Sequence, residues 1–223
     1  MKNKKIVAIA LTTFTCANVL LTQPVFATSQ NSITFEQNKI ISKEENDWYA
    51  ENKREIVEID GAIYTYSYNY ENEKKTITIT NDLNDNVDRI VYDDISSNIY
   101  LNDELIATKD VTDENKNQTQ SSLQRSWQTL GTPSNINISW RAGTTAAVLA
   151  GIIAGCIPGV GASVVIARIG IGTLGIIAGQ AVGGSVYYSI EMYKTTFTAP
   201  MYRSVWGFRA PTGTYYGNYI SPW

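Results

Sequence analysis

The side chains that could perform chemistry in this chain are carboxylates, and they have no histidine to work with. The sequence holds 21 acidic residues and no histidine. The commonest general base and metal ligand is therefore missing, and so is the usual serine–histidine–aspartate triad. The acidic pairs Glu44-Glu45, Asp93-Asp94 and Asp103-Glu104 have the residue type needed for hydrolysis or calcium binding, but turn residues surround them. We interpret them as solvated loops, so the sequence predicts neither an enzyme nor a metal site.

A glycine pattern, Gly170-Ile-Gly172-Thr-Leu-Gly175, matches the fingerprint of dinucleotide-binding sites, and Glu191 follows near the distance of a ribose partner. The surrounding glycines, however, continue at a spacing of four that this fingerprint does not explain. An exported chain also has little access to nicotinamide cofactors. The sequence therefore predicts no cofactor.

The element around which the chain is organised is a long apolar segment with one charge, Arg168. Residues 142–167 are 26 uncharged residues and residues 169–190 are 22, and each run exceeds the ~20 residues with which a helix crosses a bilayer. Pro158 and Gly159 interrupt the first run, where a proline removes a backbone donor. Two interpretations stay open. One has a short helix over 144–157, a turn and a long helix over 162–193; the other has a hairpin that turns near Arg168.

Glycines recur at intervals of four within this segment, although each costs roughly 1 kcal/mol in an ordinary helix. Such stripes let helix backbones approach closely in lipid, and the alternative is tight packing in a soluble core. The residues predicted to pack helices or to meet the membrane are Gly151, Gly155, Pro158, Gly159, Arg168, Gly175, Gly179 and Gly183.

The first 27 residues have the pattern of a secretory signal, with lysines, an apolar run and small residues before a cleavage site. We predict cleavage between Ala27 and Thr28. The mature chain keeps one cysteine, Cys156, so no intrachain disulfide is expected. Residues 28–120 carry 20 acidic and 9 basic side chains, whereas residues 121–223 carry Glu191 against six basic ones. An acidic region thus precedes a cationic one, which suits a segment attracted to anionic lipid.

Residues 55–108 alternate polar and apolar side chains with period two, which is typical of half-buried strands. Asp60-Gly61 predicts a hairpin turn, and the following strand places Tyr64, Tyr66, Tyr68 and Tyr70 on one face, which we interpret as packing. We predict an acidic antiparallel β-meander that folds without the C-terminal half. The predicted fold class is α+β, and its parts are a signal peptide (1–27), a polar segment (28–54), the β-domain (55–108), a linker (109–141), an apolar helical hairpin (142–193) and an aromatic cationic tail (194–223).

Aromatic residues stand beside cations around and after the apolar segment, a combination typical of the headgroup level of a membrane. We predict four of them to lie at a membrane interface, namely Trp140, Tyr202, Trp206 and Trp223.

The layout resembles the geobacillin-like family of large bacteriocins secreted by Gram-positive bacteria. The likeness lies in the signal peptide, residues 63–68, residues 76–80, residues 99–102 and the Gly/Ala/Ile-rich segment. The resemblance implies an unmodified protein that kills or inhibits related bacteria at their membrane, and it carries over no catalytic residue.

We therefore expect a secreted antibacterial protein that permeabilises the membrane of related Gram-positive bacteria through its apolar C-terminal helices. Target-cell lipid is the expected partner. An immunity protein, a receptor and a second copy in the membrane are further candidates, and no nucleic acid is expected. The alternative is a cell-surface protein with a transmembrane helical hairpin as anchor and a partner-binding β-domain.

Overall fold

A computed structural model describes residues 40–43, 53–109, 127–180, 183–194 and 199–223. The predicted signal peptide, its cleavage site between Ala27 and Thr28, the pair Glu44-Glu45 and nearly all of the polar segment 28–54 lie outside the described residues. Residues 110–126 of the predicted linker lie outside them as well.

In the described part of the chain, eleven strands form one antiparallel sheet in which the spatial order is the order of the chain. Strands early and late in the sequence therefore lie at opposite ends of the hydrogen-bonded order. The strands are β1 (Ile40–Lys43), β2 (Lys53–Ile59), β3 (Ala62–Glu71), β4 (Lys74–Asn81), β5 (Asn86–Asp93), β6 (Asn98–Leu101), β7 (Glu104–Thr108), β8 (Gln128–Ile138), β9 (Gly184–Tyr193), β10 (Met201–Arg209) and β11 (Tyr215–Pro222).

Tight turns explain why consecutive strands pair. Asp60-Gly61, Asn72-Glu73 and Asn102-Asp103 each place two successive residues at positive φ, the conformation that two-residue hairpins require because it matches the twist of the strands. The predicted turn at Asp60-Gly61 joins β2 to β3, and the start of the region predicted as an alternating β-meander, residues 55–108, contains β2, β3 and β4.

Three short helices connect β8 to β9: α1 (Ala146–Cys156), α2 (Ala162–Ile169) and α3 (Ile171–Ala178). The Thr145 side chain caps the start of α1 by accepting from the Val148 amide. Pro158 and Gly159 follow its end, and Gly170, with φ of 90°, separates α2 from α3. Among the described helices, none combines the length and apolar character needed to cross a bilayer.

The core is built around α1, which is buried at ten of its eleven positions. A helix that is apolar all round needs cover on every side. The inner faces of β4 and β5 and the helices α2 and α3 pack against α1, and one buried cluster joins side chains of β2 to β10 with the three helices. The sheet therefore supplies the cover that the apolar segment requires.

The predicted fold class, an α+β protein with an apolar helical hairpin and an aromatic tail, is wrong. Residues 184–193 form β9 instead of a helix, and residues 201–222 form β10 and β11 instead of a tail. Val186, Tyr187 and Tyr188 belong to types that favour strands, and β9 pairs with β8 and β10 on its two sides. The first of the two interpretations located the turn between α1 and α2, but its long second helix is absent from the described residues. Strand β8 occupies part of the region predicted as a linker.

Candidate functional site

Four polar side chains on the inner face of the sheet hold the apolar helices in place. We call Glu55, Tyr66, Tyr68 and Lys75 the latch. Glu55 lies on β2, Tyr66 and Tyr68 lie on β3, and Lys75 lies on β4. Because alternate residues of a strand share a face, Glu55 points inward with Val57, and Lys75 points inward with Ile77.

Glu55 and Tyr68 bind the first turn of α2. The Ser163 amide donates to Glu55 Oε2 at 3.0 Å, and the Ala162 amide donates to the Tyr68 hydroxyl at 2.9 Å. The Tyr68 hydroxyl in turn donates to Glu55 Oε2 at 3.0 Å. A helix N-terminus leaves amide groups without partners and favours negative charge, so β2 and β3 supply the cap that α2 lacks in its own sequence.

Tyr66 and Lys75 bind the carbonyl groups of α1. The Tyr66 hydroxyl donates to the Ala147 carbonyl at 3.1 Å, and Lys75 Nζ donates to the Ala154 carbonyl at 3.3 Å. These acceptors lie in the first and last turns of α1. A cation at a helix C-terminus also interacts favourably with the helix dipole, so the latch fixes both ends of the helix.

The latch is a cluster of charges and phenols in a largely apolar core. Glu55 is fully buried, and its Oε1 accepts no hydrogen bond from the described residues. Burial lowers the pKa of Lys75 to about 8, and the neighbouring charge of Lys53 acts in the same direction. Burial, together with the charge of Glu55, raises the pKa of Tyr66 and of Tyr68 well above the ordinary value. The cluster is therefore stable only while the surrounding partners stay in place.

The C-terminal strands hold the turn between α1 and α2 from the other side. The Ser204 hydroxyl of β10 donates to the Pro158 carbonyl, and the Trp223 indole donates to the Ser204 hydroxyl at 3.1 Å. A side chain at Gly159 would overlap the Trp223 ring. A cavity of about 310 Å³ adjoins this turn, and its lining includes Lys75, Cys156 and Trp223.

The glycines of the predicted stripes have different surroundings. A Cβ at Gly151 would lie 2.7 Å from Ile79 Cδ1, so this glycine brings α1 close to the sheet, whereas a Cβ at Gly155 would lie at an ordinary contact distance, 3.5 Å, from Ile77 Cδ1. Gly175 of α3 and Gly179, which follows the last residue of α3, are exposed. Gly183 precedes β9, where a Cβ would meet the backbone of Ile138.

The four aromatic residues predicted at a membrane interface divide into two pairs. Trp140 and Trp206 are buried, and their indoles donate to the Gln180 carbonyl and the Ser221 hydroxyl respectively. Tyr202 and Trp223 stack at 5.5 Å and are partly exposed. Arg168 is exposed in the last turn of α2, with its guanidinium 5.9 Å from the Tyr219 ring.

Comparisons of this chain with protein-family models, with curated proteins and with solved structures find no match. Within the described residues, no cluster of acidic or cysteine side chains could hold a metal ion. The contacts that the structure shows at the latch are hydrogen bonds to the ends of two apolar helices, α1 and α2.

Glu55 and Lys75 are not among the functional candidates predicted from the sequence, although the strand pattern contains a signal for both. Glu55 is in phase with Val57 and Ile59, and Lys75 is in phase with Ile77 and Ile79. A charged residue at an inward position of an alternating strand indicates a buried ionic group that requires a partner. Its partners are helix ends more than seventy residues away, and the strand pattern gives no information on them.

Proposed function

We propose that this protein is a secreted antibacterial protein that permeabilises the membrane of related Gram-positive bacteria. Helices α1 to α3 are the active part. The latch holds these helices against the inner face of the sheet until the protein meets its target membrane. At the membrane the helices separate from the sheet and contact lipid.

One observation carries the proposal. Helix α1 is apolar on every side and is buried by other elements of the same chain, and the contacts that fix its ends come from polar side chains, Tyr66 and Lys75. Helices that are hydrophobic all round belong either in a protein core or in a membrane. Exchanging the first environment for the second would require breaking these hydrogen bonds and replacing the packing of α1 against β4 and β5 with lipid contacts.

Three features of the sequence support this function. The N-terminal 27 residues have the pattern of an export signal, and the layout resembles that of geobacillin-like bacteriocins. The C-terminal half also has the positive charge that attracts a protein to anionic lipid.

The direct test adds the purified secreted protein to growing Gram-positive cells that contain a membrane-potential dye. We expect depolarisation that precedes the loss of growth, and release of a trapped dye from vesicles that contain phosphatidylglycerol. Growth inhibition with an intact membrane potential would contradict the proposal. Recovery of the protein in the membrane pellet of its producer, instead of in the culture supernatant, would favour the anchored surface protein.

A further inference from the structure

The outer face of the last strands carries an exposed mixture of aliphatic, aromatic and cationic side chains. Ser204, Trp206 and Phe208 of β10 are buried, so the alternate positions of this strand face outward. Val205 pairs with Ile220, and Arg209 pairs with Tyr215. Residues that are directly opposite in an antiparallel pair share a face. We call the following side chains the outer face: Tyr187, Met201, Val205, Arg209, Tyr215 and Ile220. Arg203 of β10 and its ion-pair partner Glu191 of β9 lie on the same side of the sheet.

Large apolar side chains on this face are open to solvent. Met201 is 51% exposed, Tyr215 is 42% exposed and Ile220 is 44% exposed. Met201 and Arg209 are at opposite ends of β10, and eight residues at ~3.4 Å each separate them by roughly 27 Å. The outer face is therefore a strip long enough to touch many lipid headgroups at once.

A cation without an acidic partner lies at one end of the strip. The Arg209 guanidinium is 5.8 Å from the Tyr187 ring and 5.6 Å from the Tyr215 ring, and the two rings meet edge to face at 6.1 Å. Within the described part of the chain, Arg209 forms no ion pair. Tyrosine rings place this positive charge at the surface, where an anion can reach it.

The distribution of charge along the sheet also favours contact of an anionic surface with β9 to β11. Strands β2 to β7 and their turns, residues 53–109, contain twelve acidic and six basic residues, whereas the described residues 184–194 and 199–223, which include β9 to β11, contain one acidic and three basic ones. Because the strands follow one another in chain order, this difference along the sequence is also a difference along the sheet. An anionic surface therefore attracts β9 to β11 and repels the acidic strands.

We propose that the outer face is the surface with which the protein first docks on an anionic lipid bilayer. The inference rests on the function proposed above and specifies its first step. Arginine and tyrosine prefer the headgroup level, and the aliphatic side chains of Met201, Val205 and Ile220 can enter the boundary below it. A polysaccharide or a nucleic acid would have no use for the aliphatic part of the strip.

The test measures cosedimentation of the purified secreted protein with vesicles of phosphatidylglycerol and phosphatidylcholine, and with vesicles of phosphatidylcholine alone. The variant is Arg209→Gln with Ile220→Ser. We expect it to bind the anionic vesicles about tenfold more weakly than the unaltered protein, because it loses one cation and one membrane-contacting aliphatic side chain. Both proteins should bind the neutral vesicles weakly.

The control is Arg141→Gln, which changes the net charge by the same amount at an exposed residue that pairs with Glu104. We expect its affinity for anionic vesicles to stay within about twofold of the unaltered protein, because it is not on the outer face. Circular dichroism checks that all the variants are folded.

Equal binding by the unaltered protein and the Arg209→Gln/Ile220→Ser variant would overturn the docking inference. Equal weakening in the control would also overturn it, because net charge alone would then explain binding. A change of oligomeric size in place of a change in vesicle binding would assign the outer face to a second copy and would overturn it too. Dye release in the same samples separates the two proposals. Vesicle binding through the outer face without dye release would contradict only the proposed function. Dye release together with equal vesicle binding by the variant and the unaltered protein would contradict only the docking inference.

Discussion

Burying Glu55 has a cost in free energy, because a carboxylate loses its hydration when it leaves water. The amide of Ser163 and the hydroxyl of Tyr68 compensate on one oxygen, and the positive end of the α2 dipole faces the same group. A buried charge of this kind is destabilising as soon as one partner is removed. At the scale of single residues, the latch therefore holds the helices firmly only while it is complete.

Tyr68→Phe tests this dependence. The change leaves the Ala162 amide without its acceptor and removes a donor from Glu55, so we expect the free energy of unfolding to fall by about 1–3 kcal/mol. The matched control is Tyr70→Phe on the same strand, whose hydroxyl makes an exposed hydrogen bond to Asp94; there we expect a loss of under about 0.5 kcal/mol. Urea denaturation followed by circular dichroism measures both. Equal losses would show that the buried hydroxyl has no special role.

Gly161→Ala tests how tightly the carboxylate fits. A Cβ at Gly161 would overlap the Glu55 carboxylate, whereas a Cβ at Gly155 would make only ordinary contacts with the sheet. We expect Gly161→Ala to lower the melting temperature. Gly155→Ala should raise it, because alanine is more stable than glycine inside a helix by roughly 1 kcal/mol. Calorimetry of both variants gives the comparison, and a stable Gly161→Ala protein would contradict the described position of Glu55.

The lowered pKa of Lys75 predicts how stability changes in mild alkali. Between pH 8 and the ordinary lysine value of 10.5, the unfolded chain binds a proton that the folded protein does not, so the free energy of unfolding rises with pH. We expect Lys75 to contribute about 1.5 kcal/mol between pH 8 and 9.5. Burial raises the pKa of Cys156 from 9.0 to about 12, which acts in the opposite direction near pH 9, and the raised pKa values of Tyr66 and Tyr68 do so above about pH 10. Lys75→Met should abolish the rise in the free energy of unfolding, and the control Lys74→Met should keep it. If the rise persists in Lys75→Met, another titrating group causes it.

At the scale of elements, the sequence is sufficient for the strands β2 to β4 and insufficient for the end of the apolar segment. Alternation and the Asp60-Gly61 turn indicate a hairpin directly. Residues 169–190 are uncharged throughout, and hydropathy cannot separate a buried strand from a buried helix. The change occurs between Ala178, where α3 ends, and Gly184, where β9 begins. In the region predicted as a tail, every second residue of one stretch is buried, namely Ser204, Trp206 and Phe208. This period of two is the signal that would have indicated β10.

The acidic strands pack against α1, and for this reason we no longer expect them to fold alone. The inner faces of the acidic strands are buried in the same cluster as α1, to which they contribute Val57, Ile77, Ile79 and Ile90. Among the described residues, β7 joins β8 through a single pair, Ala107 with Ile138. We expect a fragment of residues 28–116 to lack a cooperative thermal transition by circular dichroism. Adding a fragment of residues 121–223 should restore the transition. A cooperative transition of the first fragment alone would contradict the role of the helices in its core.

At the scale of the whole molecule, a single sheet in chain order contains the predicted β-domain together with strands from the regions predicted as a linker, a helical hairpin and a tail. Its inner face covers the apolar helices, and the order of its strands places the acidic strands before the cationic ones. The cover of the helices depends on long-range packing between helix ends and strands, for which a single sequence has no local signal. Cover of the uncharged runs by the sheet is what the proposed passage through water to a membrane requires.

The rate of dye release from phosphatidylglycerol vesicles tests the central claim, that the latch controls delivery of the helices to lipid. We compare the unaltered protein with Tyr68→Phe, Tyr70→Phe and Gly155→Ala. If the helices must leave the sheet, weakening the latch by 1.4 kcal/mol raises the open population about tenfold. Tyr68→Phe should therefore release dye several-fold faster than the unaltered protein, Tyr70→Phe should equal it, and the more stable Gly155→Ala should be slower. Equal rates in all four proteins, or no release by any of them, would contradict the account.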